Sequence, residues 1–409
     1  MTSLPLHGLR VIEVSSFVAA PLAGLTLAQL GADVLRVDPL GGAADIGRWP
    51  LARTTGVSLY WIGLNKGKRS VTLNLRGEDG QRLVARLLER NGPGGGVLLT
   101  NSVGRGWLAD EALRRVRPDL IHVQIQGRYD GTPAVDYTVN AETGFPLVTG
   151  PADGAAPVNH VVPVWDIACG LYAALAIVSA ERQRRETGRG QHIRIALGDV
   201  ALAMAGNLGL LAEAEVNGEV RQPIGNHLYG SFGRDFTSRD GGRFMVVALT
   251  PRQWADLVRV TGLQEPVAAL ERSLGRDFTR ESDRFEYREV LAGLVQRWFG
   301  ERDAATVQQA LRGSSVLWAP YRSFADLVAN RVELTRNPLM SVVDQPGVGP
   351  YLAPGSPIRT ESAAPPAVAP TLGEHTVAVL RDELGLDDEA IAGLRAAGVI
   401  DPDGGPREV

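Results

Sequence analysis

The hydrophobic pattern along the chain switches between two periods. Gly8-Leu-Arg-Val-Ile-Glu-Val14 is a short apolar run, which predicts a strand. Residues 19–31 carry apolar side chains at helical spacing and stop at Gly31. Asp33-Val-Leu-Arg-Val37 predicts a second strand, so the first 37 residues form a strand–helix–strand unit with a right-handed parallel crossover. Strands follow over Val71–Leu75, Gly96–Asn101 and Leu120–Gln126, separated by helices over 80–90 and 109–116. This alternation predicts an α/β sheet whose ligands sit at the carboxyl ends of its strands.

The longest predicted helix covers 163–185, with Ile167, Leu171, Ala174, Leu175 and Val178 on one face. A strand over 191–196 and a helix over 198–217 follow. Around 219–242 the texture changes to Gly, Asn, Arg and aromatic residues. Segment 243–330 reads as a small α+β unit opened by the strand Phe244–Leu249. Residues 336–375 are rich in Pro and Gly without periodicity and read as an extended return, and 376–397 as a closing helix. The domain reading is therefore a large unit over 1–220 and 331–409 and a small one over 221–330.

Composition narrows the class. The 409 residues are 44% hydrophobic and 22% charged, as in a globular chain with a sizeable core. One cysteine excludes a disulfide scaffold and a multi-cysteine metal site and points to a reducing cytoplasm. The N-terminus shows no basic stretch leading into an apolar one, so no signal peptide is expected. No membrane span is expected either, because the best apolar stretch, 161–180, carries Asp166. A net charge of −4 with scattered arginines argues against nucleic acid as a partner. Of 42 basic residues only Lys66 and Lys68 are lysine, and both fall in Asn65-Lys-Gly-Lys-Arg-Ser70.

Candidate chemistry is spare. There is no G-x-x-x-x-G-K-[ST] and no G-x-G-x-x-G after the first strand, so nucleotide hydrolysis and the usual dinucleotide binding lose support. The six histidines show no metal-ligand spacing, and no metal is expected. The lysine pair reads either as a solvated basic turn or as a clamp for phosphates, since ammonium groups act as compact point charges. Asp166 stands at the start of the long helix. It reads as an N-cap, or as a carboxyl nucleophile held ionised by the helix terminus. Cys169, one turn on, reads as packing. Gly225-Asn-His-Leu-Tyr-Gly-Ser-Phe-Gly233 reads as a mobile lid or an interdomain connection.

Several stretches together resemble the family III CoA-transferases, the CaiB/BaiF or formyl-CoA transferase family. They are Gly8–Glu13, Leu30–Asp38, Asn65–Ser70, Trp165–Gly170, Gly188–Asp199 and Leu372–Thr376, in the family order. A narrower set is similar to the branch that moves CoA between the two carboxyl groups of one methylfumarate (mesaconate) molecule. That set includes Phe17–Leu22, Val135–Asn140, Pro146–Pro151, Val158–Pro163 and Gly225–Phe236.

The resemblance implies a Rossmann-like large domain built from both chain ends, a small α+β domain, and an interlocked, ring-like homodimer. It implies mesaconyl-CoA as substrate, CoA as part of that substrate, and no prosthetic group. By the same resemblance the nucleophile falls on Asp166 and the CoA contacts on Val18, Lys68, Asn101 and Tyr137, with Lys66 as a helper. Arg105 is matched to a phosphate contact, although its loop is shorter than the family's. Asn226, His227 and Tyr229 take the place of the family's glycine-run lid, as substrate contacts. An intermolecular dicarboxylate CoA-transferase shares all these residues. A second reaction class on the fold uses a histidine base in a Gly-His-Asp stretch; here the stretch is Ala134-Val-Asp-Tyr137, without that histidine.

Overall fold

A computed structural model describes residues 4–89, 92, 94–102, 106–154, 156–362 and 364–401. The chain divides into two compact units. One comprises 1–143, 160–218 and 332–409, the other 144–159 and 219–331.

The first unit is built on a six-stranded sheet. Its strands are β1 (Arg10–Val14), β2 (Asp33–Pro39), β3 (Arg69–Leu73), β4 (Val97–Thr100), β5 (Ile121–Gln126) and β6 (His192–Ala196). All neighbours pair parallel in the order β3-β2-β1-β4-β5-β6. The order reverses between β1 and β4, which is where α/β sheets of this kind bind ligands. The connecting helices are α1 (Ala19–Gln29), α2 (Leu59–Asn65), α3 (Glu78–Glu89), α4 (Asp110–Val116), α5 (Asp136–Glu142), α6 (Val164–Thr187) and α7 (Leu197–Asn207).

Strand alternation sorts the side chains by face. Ile12, Val14, Leu35, Val37, Val71 and Leu73 join an apolar core with Leu83, Val84 and Leu87 of α3 and with Val379, Leu380 and Ile391 from the chain end. Glu13, Arg36 and Asp38 occupy the alternate positions and are also fully buried. Gly24 of α1 lies over them: a Cβ there would fall 1.8 Å from Glu13 Oε2.

The predicted strands and most helices of this unit are present, and five readings change. Two short helices, α2 and α5, were not predicted. The helix read over 198–217 breaks at Gly209, whose φ of +80° suits glycine. The return segment is not merely extended: β10 (Met340–Gln345) and β11 (Gly349–Pro354) form an antiparallel hairpin. The closing helix is two helices, Thr376–Leu384 and Asp388–Ala396, parted at Gly385. The end of the return docks on β3, with Ser70 N donating to His375 Nδ1 at 3.2 Å and Thr72 N to Thr376 Oγ1 at 3.0 Å.

The second unit holds an antiparallel sheet of β7 (Phe232–Thr237), β8 (Arg243–Ala248) and β9 (Leu317–Pro320). Only β8 was predicted. Helices pack on it through Phe232, Phe236, Phe244, Trp254, Phe278 and Phe299. Residues 144–159 group with this unit, not with the α/β unit around them in sequence.

Candidate active site

Helix α6 is long and apolar enough to cross a membrane, yet it is the central helix of the first unit, against α1, α5, β5 and β6. Its packing on α1 depends on Gly170, where a Cβ would meet Ala19 O at 2.5 Å. Asp166 lies one helical turn before Gly170, so it shares the α6 face that meets the first turn of α1. Helix α1 opens on Val18 with no side-chain cap and no acidic residue in its first turn. Its N-terminal N–H groups are thus suited to an anion.

Asp166 is not the N-cap of α6. That position is Pro163, and Asp166 is the third helical residue. The capping carboxylate comes from α5: Asp136 Oδ2 accepts from Trp165 N at 2.7 Å and from Asp166 N at 3.2 Å. Asp136 is nearly fully buried, and its Oδ1 lies 2.5 Å from His160 Nε2. This arrangement reverses the expectation that the helix terminus keeps Asp166 ionised. Burial first, and the Asp136 charge second, push the Asp166 carboxyl up to about 7. A carboxyl that titrates near neutrality is a more basic, less hydrated nucleophile than an exposed one. Burial, with the Asp166 charge behind it, pushes the Cys169 thiol up to about 12, which suits a packing residue.

Asn101 closes the switch point. Its Oδ1 accepts from Ser16 N at 3.1 Å and its Nδ2 donates to Ser16 O at 2.7 Å, joining the loops after β1 and β4. Within the first loop Phe17 adopts φ +63°, the one non-glycine residue in that region among the described residues. Phe17 N donates to Asp45 Oδ2 at 3.0 Å.

The lysines are not a solvated clamp. Lys68 Nζ is buried and donates to Glu13 Oε1 at 3.0 Å, Pro21 O at 2.9 Å and Asn65 Oδ1 at 2.9 Å. An ammonium has three donors, so none is left for a phosphate. Burial lowers Lys68 to about 8, against the opposing pull of Glu13. Arg36 extends the same network to Asp38, Asp45 and Ser15 O. Burial alone would lower Arg36, but the facing carboxylates of Asp38, Glu13 and Asp45 lift it above its ordinary range. Lys66 is also buried. Its Nζ donates to Gly63 O at 2.6 Å in the last turn of α2, the residue lines a cavity of about 150 Å³ beside Gln29 and Ala367, and burial lowers it to about 8. Arg105 lies outside the described residues.

The sequence from residue 6 to residue 376 matches the model of CoA-transferase family III. The chain belongs to CoA-transferase family III. It is 48% identical over 398 residues to 2-methylfumaryl-CoA isomerase of Chloroflexus aurantiacus, covering 97% of each chain. It is 29% identical to the succinyl-CoA–L-malate CoA-transferase beta subunit of the same organism, over 98% of this chain and 99% of that one. The crystal structure of a CaiB/BaiF family protein from Brucella suis superposes with a TM-score of 0.76 at 27% identity, over 92% of this chain and 99% of that one.

In this family III chain Tyr137 follows Asp136 on α5, half exposed, with its hydroxyl donating to Val161 O at 3.3 Å. Its ring lies 5.8 Å from that of His160. Asn226, His227 and Tyr229 belong to the second unit. There His227 Nε2 lies 3.1 Å from Glu289 Oε1, and Tyr229 packs on Phe285 with Arg221 over its ring. His227 therefore already faces a carboxylate, and burial lowers it from the ordinary histidine range.

Sequence reasoning missed four groups. Asp136 and His160 are 24 residues apart, and only the fold joins them. Arg48 and Tyr60 were not singled out; Tyr60 lies within range of the Asp166 charge and burial pushes it up to about 12. The fold also assembles Asp110, His122 and His192, which no spacing signalled. Their imidazoles stack with centroids 4.7 Å apart and planes 11° from parallel. Near-parallel stacked rings do not aim two in-plane lone pairs at one ion, so the trio fits a hydrogen-bonded cluster better than a metal centre.

Proposed function

We propose that the chain moves CoA within one molecule, converting 2-methylfumaryl-CoA to 3-methylfumaryl-CoA. What carries this reading is the 48% identity to 2-methylfumaryl-CoA isomerase over 97% of both chains, against 29% to a dicarboxylate CoA-transferase. The site offers Asp166 as the carboxyl nucleophile, beside an uncapped helix start, while the second carboxylate, Asp136, is taken up in capping α6.

In the proposed sequence Asp166 carboxylate attacks the C1 thioester carbonyl. The C–S bond breaks, and CoA thiolate leaves with its electron pair. The thiolate then attacks the aspartyl carbonyl of the resulting anhydride, giving an Asp166–CoA thioester and free methylfumarate. The C4 carboxylate of the retained acid attacks that thioester, and thiolate leaves again. Its attack on the C4 acyl carbonyl of the second anhydride frees Asp166. No proton is gained or lost overall, and the thioester consumed is replaced by a thioester of similar energy. Retaining the diacid keeps the second half effectively intramolecular.

The proposal includes a homodimer acting in the cytoplasm. The outward side chains Leu171, Tyr172 and Leu175 of α6 support the dimer, since each is more than 40% exposed and together they form an apolar strip. Val18, Asn101 and Tyr137 remain the proposed CoA contacts, and Asn226, His227 and Tyr229 proposed substrate contacts. Chromatography of 2-methylfumaryl-CoA after incubation tests the reaction: a C4 isomer is expected, and none refutes it. Free labelled methylfumarate should stay out of the product. Substantial incorporation makes the enzyme intermolecular.

A further inference from the structure

A reaction between the two carboxyl groups of one diacid needs a group that recognises the carboxylate not joined to CoA. In the first unit that role calls for an exposed cation without a counter-ion, beside the start of α1, which packs on α6 one turn from Asp166. Arg48 meets these conditions. Its backbone is pinned on both sides, N donating to Asp45 O at 3.1 Å and O accepting from Ser58 Oγ. Its side chain is exposed, with the guanidinium 5.5 Å from the ring centroids of both Phe17 and Tyr60. The Tyr60 hydroxyl lies within range of both the Arg48 and the Asp166 charge. Among the described residues no carboxylate forms an ion pair with Arg48. Asp45, the adjacent acid, is taken up by Arg36 at 2.9 Å and by Phe17 N at 3.0 Å.

Two aromatic walls hold a guanidinium by cation–π attraction while leaving its planar fork free. A planar fork matches a carboxylate through two parallel charge-assisted hydrogen bonds. The wall at Phe17 requires a backbone angle that costs a non-glycine residue free energy, and such strain persists where surrounding contacts enforce it. Here the enforcing contact comes from Asp45, which Arg36 fixes in turn.

We propose that Arg48, walled by Phe17 and Tyr60, grips the free carboxylate of the substrate and selects dicarboxylyl over monocarboxylyl CoA esters. This rests on the proposed carboxylate-to-carboxylate transfer through Asp166.

The test compares formation of the Asp166–CoA thioester, trapped by borohydride and quantified by mass spectrometry, in the wild type and in Arg48→Gln and Arg48→Lys. The probes are 2-methylfumaryl-CoA and 2-methylbut-2-enoyl-CoA, which carries a methyl group in place of the free carboxylate. Arg48→Gln should slow trapping from the diacid ester roughly 10- to 100-fold, the range of a charge-assisted pair, with partial recovery in Arg48→Lys. Trapping from the monoacid ester should change less than about threefold, because it never uses the pair. An equal fall with both esters assigns Arg48 to folding or CoA binding and overturns the proposal, as does no fall with either. Should the wild type fail to isomerise but pass CoA to added succinate, the reaction proposed above fails alone. The same comparison with succinyl-CoA and butyryl-CoA then decides Arg48. If no ester yields the thioester, both fail.

Discussion

Asp166→Asn isolates the burial of one carboxyl. The folded chain keeps the Asp166 proton up to about pH 7, whereas an unfolded aspartate releases it near 3.8. Between those values the folded state binds the extra proton, so this group's contribution to stability falls as pH rises through the interval. About three pH units at 1.36 kcal/mol each set a ceiling of roughly 4 kcal/mol. Asp166 keeps some solvent contact, and screening reduces the figure to roughly 2 kcal/mol. An asparagine retains the shape without the charge, so the variant should be more stable than wild type. For 409 residues, about 2 kcal/mol corresponds to a melting temperature roughly 2 °C higher. The advantage should be full above pH 7, shrink as pH falls, and vanish below about pH 4. Differential scanning calorimetry at pH 8 and pH 5, with the trapped thioester as chemical readout, checks both parts. A variant that is less stable at pH 8, or whose advantage is the same at every pH, refutes the assignment of Asp166 as a buried carboxyl with raised proton affinity. Persistent turnover refutes its role as nucleophile.

Three further outcomes follow from the same contacts. Asp136→Asn keeps an acceptor for the N–H groups of Trp165 and Asp166 but removes the charge facing Asp166. The rising limb of kcat/KM against pH should therefore move down from about 7 by up to roughly one unit. An unchanged midpoint would exclude that charge as a cause. Lys68→Met leaves Glu13 buried without its ammonium and should cost about 3–5 kcal/mol, seen as a lowered denaturation midpoint, with CoA affinity of the folded fraction unchanged. A selective loss of CoA affinity would restore the phosphate-clamp reading. Gly170→Ala drives a methyl against Ala19 O and should cost about 1–3 kcal/mol, while activity falls more steeply because α1 and α6 part where Asp166 sits.

The order of strands and helices was legible because it is written in local periodicity. β1, β2 and β4 carry compact apolar runs, β3, β5 and β6 alternate apolar with polar residues, and glycines follow α1 and α6. α2, α5 and β7 escaped because Leu59–Asn65, Asp136–Glu142 and Phe232–Thr237 mix polar, aromatic and glycine residues with no clear period. Their conformation is set by what they pack against. Asp166 stood out from its place in a motif, but its electrostatic state did not.

The sequence alone determined the α/β alternation, the family and the identity of the candidate nucleophile, since each is carried by residues close together in the chain. Tertiary structure decided the charges. It buried Lys68 on Glu13, 55 residues away, and so turned a basic turn into an internal ion pair. It brought Asp136 over the start of α6, which made Asp166 a group titrating near neutrality instead of one held ionised. A side chain's proton affinity depends on solvent access and on charges a few ångströms away, and distance along the chain reports neither.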